Sequence, residues 1–196
     1  MLRRIDLRGF TGDLSEALPR PETPTGGPVD VVREILAAVA KRGDAAVREY
    51  TSRFDGVELD SLVVADAELA AAIERIQPDV RDALDLAAER IAAYHQAQMP
   101  ADVTVEQPGV SIRGMHRAVE RAACYVPGGR AVYPSTVLMT AVPARVAGVE
   151  QIVVCVPPGP DGKVPDIVLA AAKIAGAHEV VSVGGAQAIG AVAHGT

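Results

Sequence analysis

The stretch "QIVVCVPPGPDGKVPDIVLAAAKIAGAHEVVSVGGAQ", Gln151 to Gln187, decides the fold. Two short, nearly unbroken Val/Ile runs, "QIVVCVPP" and "EVVSVGG", enclose an apolar segment at about 165–176 that Gly176 closes. Continuous apolar runs without polar alternation are strands buried on both faces, and helices between such strands imply a parallel sheet covered on both sides. Upstream, "STVLMTAVPARVAGV" reads as a helix with Ser135 as N-cap and Gly148 just past its end. Its awkward member is Pro143, since a helix-interior proline costs about 3 kcal/mol unless the helix kinks. A strand at 119–126 precedes this helix, and a last helix begins near Ala186. From about Arg121 to His194 the order is therefore β-α-β-α-β-α, which the handedness rule folds into half of a doubly wound, Rossmann-like sheet.

Ahead of this unit the pattern differs. Residues 1–28 are charged and then rich in Pro, Gly and Thr ("PRPETPTGGPVD"), the composition of an N-terminal arm and linker. From Val29 to Phe54 the apolar spacing is helical, with Gly43 as a break. Residues 66–98 read as a helical pair: Asp66 is placed as N-cap, Pro78 in a first turn, and Val80, Leu84, Ala87, Ile91 and Tyr94 as one stripe. Strands at 102–107 and 110–116 flank the turn signal Gln107-Pro108-Gly109. The expected fold class is α/β: N-terminal helices and a small antiparallel strand unit, followed by the parallel half-sheet. The expected divisions are 1–28, 29–120 and 121–196.

Composition narrows the function classes. A chain of 196 residues, 49% hydrophobic and 22% charged, can bury a proper core. Its net charge of −6, with Arg and Lys scattered, argues against nucleic acid or an acidic membrane as partner. Apolar stretches stop well short of the roughly 20 residues that span a bilayer. "MLRRIDLRGF" lacks the apolar core of a signal peptide. The expectation is a cytoplasmic protein acting on small molecules or other proteins. Cys124 and Cys155 lie in apolar runs and read as buried reduced thiols. The histidines, His95, His116, His178 and His194, are dispersed and form no metal-binding pattern.

In doubly wound sheets ligands bind beyond the C-terminal ends of the strands. Two loops there carry paired glycines, Gly128-Gly129 in "PGG" and Gly184-Gly185 in "VGGAQ". Such pairs let backbone approach a ligand, and the free N–H groups of the following helices attract a phosphate. The same pairs also serve as simple turns, and neither GxGxxG nor GxxxxGK[ST] is present. Tyr125 and Tyr133 suit either stacking on a base and bonding a ribose, or packing with a wet hydroxyl. Gln187, an amide leaving a Gly-Gly turn, suits either ligand contact or a helix-terminal hydrogen bond.

"CYVPGGRAVYPSTVLMTAVPARVAGVEQIVVCVPP" and "VGGAQAIGAVAHGT", with "RGDAAVREYTSRFDG" nearer the start, resemble histidinol dehydrogenase, and the resemblance runs over the whole chain. It implies a zinc- and NAD-dependent cytoplasmic homodimer that oxidises L-histidinol through the aldehyde to L-histidine. It implies NAD contacts at Tyr125 and Gln187, with Gly128, Gly129, Gly184 and Gly185 around them. The family's third NAD contact, the Asn of a Gly-Pro-Gly-Asn motif, has no counterpart in this chain. The zinc ligands and the Glu-His pair that activates water are missing as well. The implied reading is an N-terminal portion with no catalytic or metal-binding residue of its own and no turnover alone. In the family the segment around 30–120 packs against chain returning later, so the helix stripe at 80–94 is expected to be exposed. Two other readings stand beside this one: a related zinc-dependent alcohol dehydrogenase of different substrate, and a non-catalytic nucleotide-binding product complemented by a partner.

Overall fold

A computed structural model describes residues 4–18, 27–128 and 131–196. The arm-and-linker reading therefore falls in part, at 1–3 and 19–26, outside the described residues. The first elements are α1 (Leu14–Ala17), α2 (Gly27–Arg42), α3 (Asp44–Asp55), α4 (Asp66–Arg75) and α5 (Pro78–Ala97). An antiparallel hairpin follows, β1 (Val103–Gln107) and β2 (Val110–Gly114). The alternating half is β3 (Arg121–Tyr125), α6 (Pro134–Val146), β4 (Gln151–Val156), α7 (Asp166–Ala175), β5 (Glu179–Ser182) and α8 (Gly185–His194). Its three strands are parallel in the order β3-β4-β5.

The central strand explains the sequence pattern. In β4, Ile152, Val154 and Val156 enter one core and Val153 and Cys155 the other, so successive residues are buried on opposite faces. On the first face α4, α5, α6 and α7 supply Leu69, Leu84, Leu138 and Leu169. On the second, α2, α3 and α8 supply Val39, Val47 and Ala188. Full burial of a valine stabilises by about 1.5–3 kcal/mol, so β4 is the energetic centre of the sheet. Gly176 ends α7 with φ 84°, and its N–H bonds back to the Ala172 carbonyl, a left-handed cap that glycine adopts without strain.

Three expectations need correction. The helix after β3 begins at Pro134 with Tyr133 as N-cap, so Ser135 lies inside the first turn, where proline's fixed φ suits N1. Helix α4 is preceded by Ala65 with no side-chain cap, and Asp66 is its first residue, its charge lying at the positive end of the helix. The stripe of α5 is covered: Leu84 and Ala88 are buried, and Val80, Ala87 and Ile91 pack on the same core against α6 and α7, leaving Tyr94 outside. The uncovered apolar face belongs to the hairpin, where Val103, Val105, Val110 and Ile112 are all exposed.

Helix α6 runs on through Pro143. A further contact was not anticipated: Ser182 donates its N–H to Leu62 O at 2.7 Å, and Val64 donates to Val180 O at 2.9 Å. Residues 62–64 thus run antiparallel along the outer edge of β5.

Candidate functional site

The strand register brings the C-terminal ends of β3, β4 and β5 to one edge, and the loops leaving them face the same way. Tyr125 ends β3 opposite Cys155, so alternation turns its side chain to the face that carries α8. Its hydroxyl accepts a hydrogen bond from the Gly185 N–H at 3.2 Å. The residue remains 37% exposed. Among the described residues the hydroxyl proton has no acceptor, so Tyr125 is fixed by one bond and free to donate another.

Gln187 sits in the first turn of α8, folded back over Gly185. A Cβ on Gly185, where φ is 63°, would lie 2.5 Å from Gln187 Oε1. The side chain is buried, 1% exposed, and Oε1 has no hydrogen-bond partner among the described residues. An orphaned buried polar atom costs about 1–3 kcal/mol, which makes its retention beside a ligand edge informative. Tyr125, Gly185 and Gln187 therefore form one cluster, which the sequence separates into two loops.

The remaining glycines have a different local reason. A Cβ on Gly128 would meet Pro157 Cγ at 2.3 Å, and one on Gly184 would meet Pro157 Cβ at 2.6 Å. Pro157, the first residue after β4, wedges between the two glycine loops. Gly129 lies outside the described residues. Tyr133, 38% exposed, lines a separate cavity with Pro127 and Pro157 at the same edge.

Sequence reasoning missed Pro157 as the spacer. It also missed Asp55, which lines that cavity and ends α3. An aspartate at the negative end of a helix dipole was the available signal. Burial raises the Asp55 carboxyl above the ordinary carboxylate range.

The thiols are buried. Cys124 and Cys155 enter cores on opposite faces of the sheet and are both free and buried. Burial pushes the Cys124 thiol up and, with Cys124 nearby, that of Cys155 to about 11, far from a reactive thiolate. His178 accepts a hydrogen bond from the Ile152 N–H at 3.2 Å, at the far end of the strands. Among the described residues no three His, Cys, Asp or Glu side chains group as metal ligands, so these residues do not fit a zinc site. Among the same residues no helix is long and apolar enough to cross a membrane.

A three-stranded parallel sheet with helices on both faces and glycine-bearing loops at one edge defines a doubly wound α/β protein. The sequence model of histidinol dehydrogenase matches residues 18–196. A histidinol dehydrogenase of Methanothermobacter thermautotrophicus is 47% identical over 184 residues, 93% of this chain and 43% of the relative. One of Parasynechococcus marenigrum is 54% identical over 171 residues, 87% of this chain and 38% of the relative. The crystal structure of histidinol dehydrogenase from Elizabethkingia anophelis superimposes with a TM-score of 0.84 at 32% identity, covering 90% of this chain and 41% of that one. This chain belongs to the histidinol dehydrogenase family, and it spans about two-fifths of the length of these relatives.

Proposed function

We propose that the chain carries an NAD half-site of an enzyme that oxidises L-histidinol to L-histidine in histidine biosynthesis. The observation that carries this is the pairing of the Gln187 Oε1 orphan with the Tyr125 hydroxyl beside the Gly184-Gly185 turn. A dinucleotide offers amide and hydroxyl donors to the one and acceptors to the other. NAD, when bound, would accept the hydride of the oxidised alcohol. The chain's own contribution is to hold it: Tyr125 donates a hydrogen bond from β3, Gln187 accepts one from α8, and the N-terminus of α8 favours the pyrophosphate charge. Gly184 and Gly185 keep that approach free of side chains, and Gly128 does the same in the β3–α6 loop.

Residues 121–196 act as the nucleotide-binding unit, and the helices of 29–120 cover both faces of its sheet. The described residues supply neither a zinc-ligand group nor a base aimed at a substrate alcohol, so no step of proton or metal chemistry is assigned to them. The setting is a cytoplasmic homodimer that uses no nucleic acid and no membrane.

The test is calorimetric titration of NAD into the purified chain and its Tyr125→Phe and Gln187→Met variants, followed by incubation with L-histidinol, NAD and zinc. Expected are weak NAD binding, weakened further by about tenfold in each variant through loss of one hydrogen bond, and no NADH production. Binding unaffected by both variants refutes the half-site. NADH formation by this chain refutes the placement of the chemistry outside it.

A further inference from the structure

The strand order β3-β4-β5 puts Tyr125 on one outer strand of the sheet and Ser182 on the other. Beside Ser182, residues 61–65, helix α4 and the start of α7 border a cavity of about 580 Å³, within the range of small-molecule sites. Val63, Val64, Val164 and Leu169 give it apolar walls. Glu68, Arg75, Lys163 and Asp166 bring both signs of charge to the same space. Ser182 shares a strand face with Val180, which enters the core covered by α4 and α7, so its hydroxyl is turned to the side where the cavity lies.

Internal pairing uses up part of this polar set. Arg75 donates to both oxygens of Asp166, from Nε at 2.9 Å and from Nη2 at 2.7 Å, and Nη2 also donates to Glu68 Oε2 at 3.0 Å. Left without a partner among the described residues are the Lys163 ammonium, Glu68 Oε1 and the Ser182 hydroxyl. Lys163 and Glu68 are exposed and water can serve them, but Ser182 is only 5% exposed and its Oγ is shut off from solvent. A buried hydroxyl left unpaired is costly, so this one points to a partner that enters from the cavity.

A purely anionic ligand would meet the Glu68 and Asp166 carboxylates, and a purely cationic one would meet Arg75 and Lys163. A zwitterion satisfies the unpaired group of each sign at once. We propose that this cavity binds a free α-amino acid with an apolar side chain. Lys163 and the Ser182 hydroxyl hold its carboxylate, Glu68 Oε1 accepts from its ammonium, and its side chain packs on Val63, Val164 and Leu169. The site is independent of the NAD reading, since it uses the other outer strand and the opposite face of the sheet from Tyr125. Discrimination comes from leaving a charged group of the site unpaired when a ligand lacks one of the two charges.

The test titrates L-leucine, 4-methylpentanoate (no ammonium) and 3-methylbutylamine (no carboxylate) into the isotope-labelled chain and follows amide chemical shifts. In the wild type, L-leucine is expected to give saturable shifts at Lys163, Ser182 and Glu68, and each one-charge analogue to bind about tenfold or more weakly, through loss of one charge-assisted hydrogen bond. Lys163→Met should weaken leucine and methylpentanoate by about tenfold and leave the amine unchanged. Glu68→Gln should weaken leucine and the amine and leave methylpentanoate unchanged. Ser182→Ala should weaken the two carboxylates, and Tyr125→Phe should alter none of the three. A one-charge analogue that binds the wild type as tightly as leucine overturns the proposal, showing a simple ion site, and needs no variant to fold. Leucine shifts centred on Tyr125 and Gln187 overturn it by placing the ligand at the other edge. Equal losses for all three ligands in Lys163→Met and Glu68→Gln overturn the assigned contacts, and the absence of saturable shifts with leucine overturns the site while leaving the NAD half-site standing.

Discussion

Replacing Gly128 with alanine tests whether these glycines serve packing as well as ligand approach. The added Cβ would lie 2.3 Å from Pro157 Cγ and 3.1 Å from Cδ, against 3.5 Å from Cβ. Carbon atoms rest at about 3.5–4.0 Å, so Cγ intrudes by more than 1 Å, and the proline ring cannot rotate away. Overpacking of this kind costs about 1–3 kcal/mol. Pro157→Ala removes Cγ and Cδ and leaves only the ordinary contact, so the double variant should recover stability, with a coupling of about 1 kcal/mol or more in the mutant cycle. Gly184→Ala behaves differently. Its new Cβ would lie 2.6 Å from Pro157 Cβ, an atom that alanine retains, so Pro157→Ala should leave most of that cost in place. The assay is urea unfolding of the chain and its single and double variants, followed by circular dichroism. A Gly128→Ala variant within about 0.5 kcal/mol of wild type, or equal rescue of both glycine variants by Pro157→Ala, refutes the wedge.

Gln187→Met keeps the volume and removes the orphaned Oε1, so it should raise stability by about 1 kcal/mol while weakening NAD; a loss of stability would reveal a structural partner for the amide. The Asp166 carboxyl is held below its usual range by its hydrogen bonds with Arg75. Its contribution is therefore present above the unfolded carboxylate range and fades as pH falls through the depressed folded value. Arg75→Met should lower stability slightly near neutrality, because the pair is largely exposed, and not at all in strong acid; a pH-independent cost in urea unfolding would contradict this. With its thiol raised to about 11, Cys155 should react with a thiol reagent at neutral pH only as fast as the sheet opens. Labelling faster than amide exchange of β4 would show the thiol to be accessible.

How much of this was legible depends on how local each signal was. The Val/Ile runs of β4 and β5, the stop at Gly176 and the Pro108-Gly109 turn act within a few residues, and the structure has them where the sequence puts them. The misplaced starts of α4 and α6 are also local, and arise where a first-turn Asp or Ser looks like a cap. The covering of the α5 stripe was not legible, because it depends on where α6 and α7 pack in space. Residues 62–64 are too short to read as a strand and pair only because β5 offers its edge. At the site, Tyr125 and Gln187 were nameable singly, but their meeting at Gly185 is a product of the sheet. The role of Pro157 was hidden for the same reason: a proline after a strand reads as an ordinary stop, and only the fold sets it between Gly128 and Gly184.

The central claim is that NAD meets this chain at the edge where Tyr125, Gly185 and Gln187 converge. The most direct measurement is an NAD titration of the isotope-labelled chain followed by amide chemical shifts. The account predicts that the largest changes fall at Gly184, Gly185 and Gln187 and around Tyr125, with α5 and the β1–β2 hairpin silent. Shifts confined to other regions, or none at NAD concentrations well above the millimolar range, would contradict it.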